Sequence, residues 1–273
     1  PEASRPYLYP INGPFGRSVT KLSSSSARDG NAENEYTHHR SLWGGWGDVN
    51  GCDNWSEGEG SGRIIHRCFE EITEGSVYGG FVSLSDWVDA EGTKLLQERR
   101  EVRFYNLPGS VRLFDVDTTL YGMYGDIRFG DTVKGGLLAL RVAERMEARR
   151  GGRIENSLGG VNESECWGRR AYWCDVSGPG GDKRVGLAVF DHPTNFRFPT
   201  YWNVRDYGLL AANPFGLAEF RDNERVDGGL VVPEMENIRF RYRVYVHPGG
   251  VRRGSVAARF ADWIYPPRVT SEP

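Results

Sequence analysis

The feature that most constrains the fold is residues 238–246, where apolar and basic residues alternate strictly. Arg239, Arg241 and Arg243 take every second position, and the positions around them are apolar. Successive side chains of a strand point to opposite faces, so this pattern predicts a β-strand with one buried and one solvated face. Weaker alternation recurs over residues 77–84 and 114–120, and Gly-rich segments such as 178–181 predict turns between strands. The sequence therefore predicts an all-β fold, a single large antiparallel β-sandwich with few short helices.

Composition excludes several classes of protein. The 273 residues are 38% hydrophobic and 26% charged, which suits a folded chain with a sizeable core. A net charge of -3 gives no electrostatic case for binding nucleic acid, and no apolar run is long enough to span a membrane. With no internal repeat and no linker-like segment, we expect one domain over residues 1–273.

The four cysteines indicate a redox setting. Cys52, Cys68, Cys166 and Cys174 form no C-x-x-C pair, and four cysteines are few for a disulfide scaffold of this length. We expect free thiols in a reducing, cytoplasmic compartment, and the chain as given begins without a charged and apolar leader.

One segment is harder to assign than the others. Residues 137–150 contain strong helix formers and no Gly or Pro, which favours a helix, yet Leu138, Leu140 and Val142 also alternate as in a strand. The polar residues from Ser23 to Glu35 predict an exposed loop.

Residues 37–66 are the first candidate site. They contain three of the five histidines and three of the eight tryptophans, separated by glycines. Imidazoles supply acid, base or metal-ligand chemistry near neutral pH, and indole rings stack on sugars. The alternative is a loop whose polar side chains only bind the backbone.

A second candidate site follows the predicted strand at 185–190. His192 and Asn195 come directly after it, and Trp202 and Arg205 lie shortly beyond, on a loop with several prolines. Polar residues at strand ends are typical of function on β-scaffolds, although His192 and Asn195 could equally cap turns. We predict that the 37–66 and 191–205 stretches meet at one concave surface.

The motifs also resemble a known bacterial family. The resemblance, to the family called PmoA-like or DUF6807, covers nearly the whole chain and is carried by His38-His39-Arg40, residues 47–51, Asn156-Ser157, residues 167–169, Asp191-His192-Pro193 and residues 213–216. It implies an antiparallel sandwich of the galactose-mutarotase type, a supersandwich, whose concave face meets a sugar. It also implies a small carbohydrate as the partner, one that a sugar oxidoreductase has already converted to a 3-keto form.

These observations lead to a hypothesis of glycoside cleavage by proton abstraction, elimination and hydration. A carbonyl at C3 acidifies the C2 proton, a histidine near its ordinary pKa removes it, and the aglycone leaves. The candidate catalytic residues are His38, His39, His66, Asp48, Glu98 and His192. The candidate substrate-binding residues are Arg40, Trp43, Asn50, Trp55, Asn156, Trp167, Asn195, Trp202 and Arg205. Arg40 and Arg205 could hold the enolate, or a divalent metal ion could replace them as a Lewis acid. No spacing of histidines and carboxylates in the sequence is diagnostic of a metal site.

Three alternatives stay open. One is a sugar epimerase or mutarotase with a histidine acid and a glutamate base. Another is a carbohydrate-binding module without catalysis, although histidines near carboxylates favour an enzyme. The last is a glycosidase with two carboxylates, for which no acidic pair stands out.

Overall fold

The computed structural model describes residues 3–22, 36 and 38–267. The loop predicted over Ser23–Glu35 lies outside the described residues. The described part of the chain is predominantly β-sheet with short helices, as the alternation predicted. Every pair of neighbouring strands in the sheets is antiparallel.

The strands and helices are short apart from the long strands of one sheet. The strands are β1 (Leu42–Trp46), β2 (Arg63–Thr73), β3 (Tyr78–Val88), β4 (Lys94–Tyr105), β5 (Arg112–Tyr121), β6 (Ile127–Phe129), β7 (Gly135–Arg141), β8 (Arg153–Asn156), β9 (Arg169–Arg170), β10 (Trp173–Pro179), β11 (Arg184–Asp191), β12 (Tyr201–Arg205), β13 (Leu209–Asn213), β14 (Leu230–Val232) and β15 (Asn237–Pro248). The α-helices are α1 (Asn162–Cys166), α2 (Leu217–Phe220) and α3 (Val256–Ile264), and 3₁₀ turns occupy Glu144–Met146 and Ala148–Arg150.

Two large sheets form the sandwich. The eight-stranded sheet has the order β2-β3-β4-β5-β15-β11-β10-β8, and the five-stranded sheet has the order β1-β7-β13-β12-β9. Strands β14 and β6 form a small third sheet. The main hydrophobic cluster takes Leu140 and Trp202 from the five-stranded sheet and Val116, Leu187 and Val244 from the eight-stranded sheet. The core therefore lies between the two large sheets.

Strand β7 resolves the ambiguous segment at 137–150. Its residues are all buried, because Leu138 and Leu140 face the core while Ala139 lies beneath an aromatic cluster on the opposite face of the sheet. Pairing with β1 and β13 on both sides outweighs the helix propensity of this sequence. Helical geometry survives only in the 3₁₀ turns that follow.

The alternating segment at 238–246 forms the centre of β15, as predicted. Its arginines lie on the outer face of the eight-stranded sheet, where Arg239 binds Asp117 and Arg243 binds Asp115 across the pair with β5. These side chains form a ladder of ion pairs at the surface, which explains the basic face without a ligand.

All four cysteines are free thiols, as predicted. Cys166 and Cys174 are buried, and burial raises the pKa of the Cys174 thiol well above its ordinary value. Among the described helices, none is both long and apolar enough to cross a membrane.

Candidate functional site

The first cleft lies on the face of the five-stranded sheet that points away from the core. It has a volume of about 540 Å³ and is open to solvent. Its floor is a small apolar cluster in which Ala139 and Ala211 pack with two of the lining residues, Trp55 and Leu209. Above this floor the lining includes Tyr36, His38, His39, Trp55, Ser56, Lys134, Glu163, Asn203, Arg205 and Tyr207.

Two adjacent histidines form one wall of the first cleft. The rings of His38 and His39 lie edge to face with centroids 4.4 Å apart. His39 is almost fully buried and stacks on Trp43 at 5.2 Å and on Tyr36 at 5.1 Å. Trp55 packs edge-on against both imidazoles. The histidine pair is therefore held by aromatic packing, with His38 the more accessible of the two.

The tautomer of His39 follows from its neighbour. A guanidinium nitrogen of Arg141 lies 3.3 Å from Nδ1 of His39, and a guanidinium can only donate. Nδ1 must therefore accept, which leaves the proton of the neutral imidazole on Nε2. Arg141 itself stacks on Tyr207 and lies near the buried carboxylate of Glu147.

Burial and nearby cations keep both histidines neutral. Burial, with a further contribution from Arg5, lowers the pKa of His38 to about 4. Burial also lowers the pKa of His39 well below its ordinary value, and the neighbouring His38 and Arg141 act in the same direction. The expectation of a histidine near its ordinary pKa is therefore wrong for this pair.

The loops that carry His38 and Trp55 are fixed by charged groups. Arg5 donates hydrogen bonds to the carbonyl oxygens of Ser56 (2.8 Å) and His38 (3.4 Å). Arg40 does not line the cleft but binds Glu57 through two hydrogen bonds, of 3.0 and 2.9 Å. Arg40 was predicted to bind substrate, and its geometry instead assigns it to holding this loop.

The opposite wall of the first cleft comes from strand β12. Asn203 and Arg205 point to the same side because they are two residues apart on the strand. Arg205 donates to Glu163 at 2.7 Å and stacks over the ring of Trp167, whose centroid lies 5.0 Å away. The remaining carboxylate oxygen of Glu163 accepts from the backbone N–H of Asp206. Glu163 is therefore engaged in structural bonds on both oxygens.

Several predicted site residues do meet in the first cleft. His38, His39, Trp55 and Arg205 line it. Trp43 lies fully buried beneath the histidines, and Trp167 supports Arg205. The predicted meeting of the 37–66 and 191–205 stretches thus holds for Arg205.

Two predicted catalytic residues lie elsewhere, in a second cleft. His66 on β2 and Glu98 on β4 both line this cleft, which has a volume of about 370 Å³ and is bounded on one side by the N-terminal segment. The carboxylate of Glu98 accepts hydrogen bonds from the Trp87 indole and from Arg100. His66 and Glu98 therefore do not share a reacting centre with His38 and His39.

Four further predicted residues serve turns. Asp48 accepts from the backbone N–H of Gly51, and Asn50 bonds the backbone of residues 126 and 128. Asn156 accepts from the N–H groups of residues 158 and 160. Asn195 donates to Asp191 and to the Arg241 carbonyl. The side chains of these four residues are thus engaged in hydrogen bonds within the protein. This is the structural alternative to substrate binding that the sequence left open.

Trp202 and His192 also lie away from the first cleft. Trp202 is fully buried in the main core, so a substrate cannot reach it. His192 lies beside Arg241 and Trp263, next to the arginine ladder on the outside of the eight-stranded sheet. The 191–205 stretch divides between the two sheets because β11 belongs to the eight-stranded sheet and β12 to the five-stranded sheet.

Sequence reasoning missed several residues of the first cleft. Lys134 lines the cleft, and two further cations contact its histidines: Arg5 at the His38 carbonyl and Arg141 at the His39 ring. All three lie far from the histidines in sequence and in no motif. The two-residue spacing of Asn203 and Arg205 could have predicted that both side chains lie on the same face of a strand. The position of Lys134 at the cleft depends on the loop before β7, which no local pattern predicts. Over residues 3–22, 36 and 38–267, no group of three or more His, Cys, Asp or Glu side chains is placed to hold a metal ion.

Comparison with known proteins places the chain in a family. Residues 1–261 match DUF6807, a family of unknown function. The chain belongs to the DUF6807 family. None of the curated proteins is similar enough to this DUF6807 protein to count as a match.

Solved structures give distant likenesses to this DUF6807 protein. One is a heparan sulfate lyase from Pedobacter heparinus, with 12% identity and a TM-score of 0.39 over 86% of this chain and 29% of the lyase. Another is an alpha-galactosidase from Lactobacillus brevis, with 9% identity and a TM-score of 0.39 over 89% of this chain and 33% of that enzyme. The chain spans about a third or less of the length of both. The resemblance to the mutarotase type stays a prediction.

Proposed function

We propose that the first cleft is the active site of an enzyme that cleaves a glycoside whose C3 hydroxyl has been oxidised to a ketone. The observation that carries this proposal is the first cleft itself, which combines a neutral histidine pair, cationic donors and an indole face in one open space of about 540 Å³. Abstraction of a proton beside a carbonyl needs a base, a stabiliser for the enolate and a platform for the sugar.

His38 is the base in this proposal. It is neutral at physiological pH, and it is more accessible than His39. Nε2–H of His39 is a hydrogen-bond donor, because Arg141 occupies Nδ1. A base with a pKa of about 4 provides little driving force for removing a C–H proton. The reaction therefore relies on strong stabilisation of the enolate.

Arg205 and Lys134 supply that stabilisation. Arg205 is fixed by Glu163 and Trp167, so its guanidinium is positioned before substrate arrives. Lys134 lies exposed at the rim of the first cleft, where a mobile ammonium can follow the developing oxyanion. Trp55 lines the first cleft with the small part of its indole that stays exposed, which gives the sugar an apolar contact.

The chemical steps balance without a further reactant other than water. His38 removes the C2 proton, and the electron pair of the C–H bond forms the C2–C3 enolate. The enolate re-forms the C3 carbonyl as a C1–C2 double bond develops and the C1–O bond breaks. The aglycone oxygen takes the bonding pair and receives the proton held by His38. Water then adds across the double bond to give the free 3-keto sugar.

Glu163 argues against the epimerase and two-carboxylate alternatives. Of the described carboxylates it is the one that lines the first cleft, and both of its oxygens are held by Arg205 and the Asp206 backbone. A catalytic glutamate needs an oxygen that can exchange a proton with the substrate, and both oxygens of Glu163 already hold these partners.

The test compares p-nitrophenyl β-glucoside with its 3-keto derivative. Release of p-nitrophenol is expected from the 3-keto form alone, because its C2 proton is acidic. Deuterium at C2 of the 3-keto form should slow the release, since that C–H bond breaks in the first step. Equal turnover of both glycosides would reject elimination and favour a hydrolase, and no turnover of either, for both anomers, would reject the proposed function.

A further inference from the structure

The second cleft carries an independent inference. Its walls are apolar, from the N-terminal segment on one side and strands β2 to β4 on the other, and they include Leu8, Phe69, Phe81 and Val102. Its volume of about 370 Å³ lies in the range of small-molecule sites, which are mostly apolar with a few placed polar groups.

The floor of the second cleft breaks the pattern of the strand that forms it. On β4, Leu96 and Val102 face inward as a core strand requires, but the inward positions between them are Glu98 and Arg100. Both of these charged residues are more than nine-tenths buried, at 1% and 7% exposure. Burying charged side chains in the middle of a strand costs stability. A strand that keeps them at inward positions, where apolar residues are the rule, is therefore a candidate for a functional site.

The charges at this floor do not cancel. Glu98 is paired with Arg100 at 2.9 Å and also accepts from Trp87. Arg5, buried to 2% exposure, also lines the second cleft and donates to carbonyl oxygens, and among the described residues no carboxylate lies within ion-pair distance of it. The charged groups that line the second cleft near this floor are thus two guanidiniums and one carboxylate, and Glu57 and Asp53 attract Arg5 only from beyond ion-pair distance.

Two further observations mark this charge as incompletely satisfied. The Nε–H groups of Arg5 and Arg100 are both buried and have no hydrogen-bond partner among the described residues. Arg100 uses Nη2 to bind Glu98. An anion beside the two arginines would stabilise both, because charge-assisted bonds are strong in a desolvated site.

We propose that the second cleft binds a small organic acid with an aromatic or other apolar body. The body lies against Phe69, Phe81 and Leu8, and the carboxylate points to Arg100 and Arg5. This proposal concerns a different site from the proposed reaction and does not depend on it.

The experiment is calorimetric titration of the full chain with phenylacetate and with phenylacetamide, which has the same body without the charge. Phenylacetate should bind at least about tenfold more tightly, since hydrogen bonds to charged groups contribute roughly that much or more. Arg100→Met should remove this preference for the acid. Arg103→Met is the matched control, because Arg103 lies on the same strand with an exposed side chain paired to Glu101.

Two more variants locate the bound acid and guard against misfolding. Phe69→Ala changes an exposed position on an edge strand and should weaken the binding of phenylacetate and of phenylacetamide equally. If Arg100→Met fails to fold, Glu98→Gln with Arg100→Met removes both buried charges together and should also abolish the preference. Arg205→Met, in the first cleft, should change neither affinity.

Three results would overturn this proposal: no saturable binding of phenylacetate to the wild type, equal affinity for acid and amide, or loss of the preference in Arg103→Met or Arg205→Met instead of Arg100→Met. The proposed reaction can fail while this binding stands, because the binding needs no turnover.

Discussion

At the scale of single residues, His38 differs from the histidine that the sequence led us to expect. Its pKa of about 4 means that it is neutral at any pH well above 4. If it is the base, kcat/KM for the 3-keto glycoside should stay level as the pH falls through 6.5 and decline only near pH 4. The pH profile of kcat/KM measures this directly.

Substitution of His38 gives the matching kinetic prediction. His38→Gln should lower kcat/KM by roughly 10² to 10⁴-fold, the usual contribution of a positioned general base. His192→Gln is the control, because His192 lies on the outside of the other sheet and should leave the rate within about twofold. A large rate loss in His192→Gln, or none in His38→Gln, would contradict the assignment of the base.

At the scale of elements, strand β1 carries Trp43 and supports the loop of Trp55 through a close approach. A Cβ added at Gly45 would lie 2.8 Å from the backbone oxygen of Asn54, the residue directly before Trp55. Glycine is therefore required there for the loop to lie against the strand.

Gly45→Ala should consequently displace the Trp55 loop. We expect a loss of stability of about 1–3 kcal/mol, as for other overpacked sites, together with a raised KM for the glycoside. Urea unfolding and steady-state kinetics measure the two effects. Gly109→Ala is the control, since a Cβ at Gly109 would contact nothing within 4 Å, and an equal loss there would contradict the steric argument.

At the scale of the whole molecule, buried titrating groups make stability depend on pH in opposite directions. The lowered pKa of His38 means that the unfolded chain binds a proton between about pH 4 and 6.5 that the folded chain does not, so this group makes stability rise with pH. Burial raises the pKa of Asp191 to about 7, so the folded chain keeps a proton that the unfolded chain loses above pH 4. Asp191 therefore makes stability fall as pH rises through the same window.

Variants should separate these two contributions. His38→Gln should lower the slope of the unfolding free energy against pH between 4 and 6.5, and Asp191→Asn should raise it. Each change is bounded by one proton, about 1.4 kcal/mol per pH unit. Urea unfolding at several pH values gives the slopes, and changes of the same sign in both variants would contradict the assignment.

The sequence by itself determined the fold class and located the long strands β3, β5 and β15. Period-2 alternation predicted β5 and β15, because burial of one face imposes that period whatever the partner strand is. The spacing of the cysteines predicted free thiols, and the motif of His38 and His39 with Trp55 indicated the first cleft. These signals are local in the sequence, so they can be interpreted without knowing which strands lie next to each other in the fold.

Only the tertiary structure decided which polar residues meet. Helix formers at 137–141 became part of strand β7 because the two neighbouring strands supplied its hydrogen bonds. Trp202 entered the core and Arg205 entered the first cleft because three positions along a strand reverse the face. His66 and Glu98 joined Arg5 and Arg100 in a different cleft, since strand order, which alternation does not encode, sets what lies beside each face.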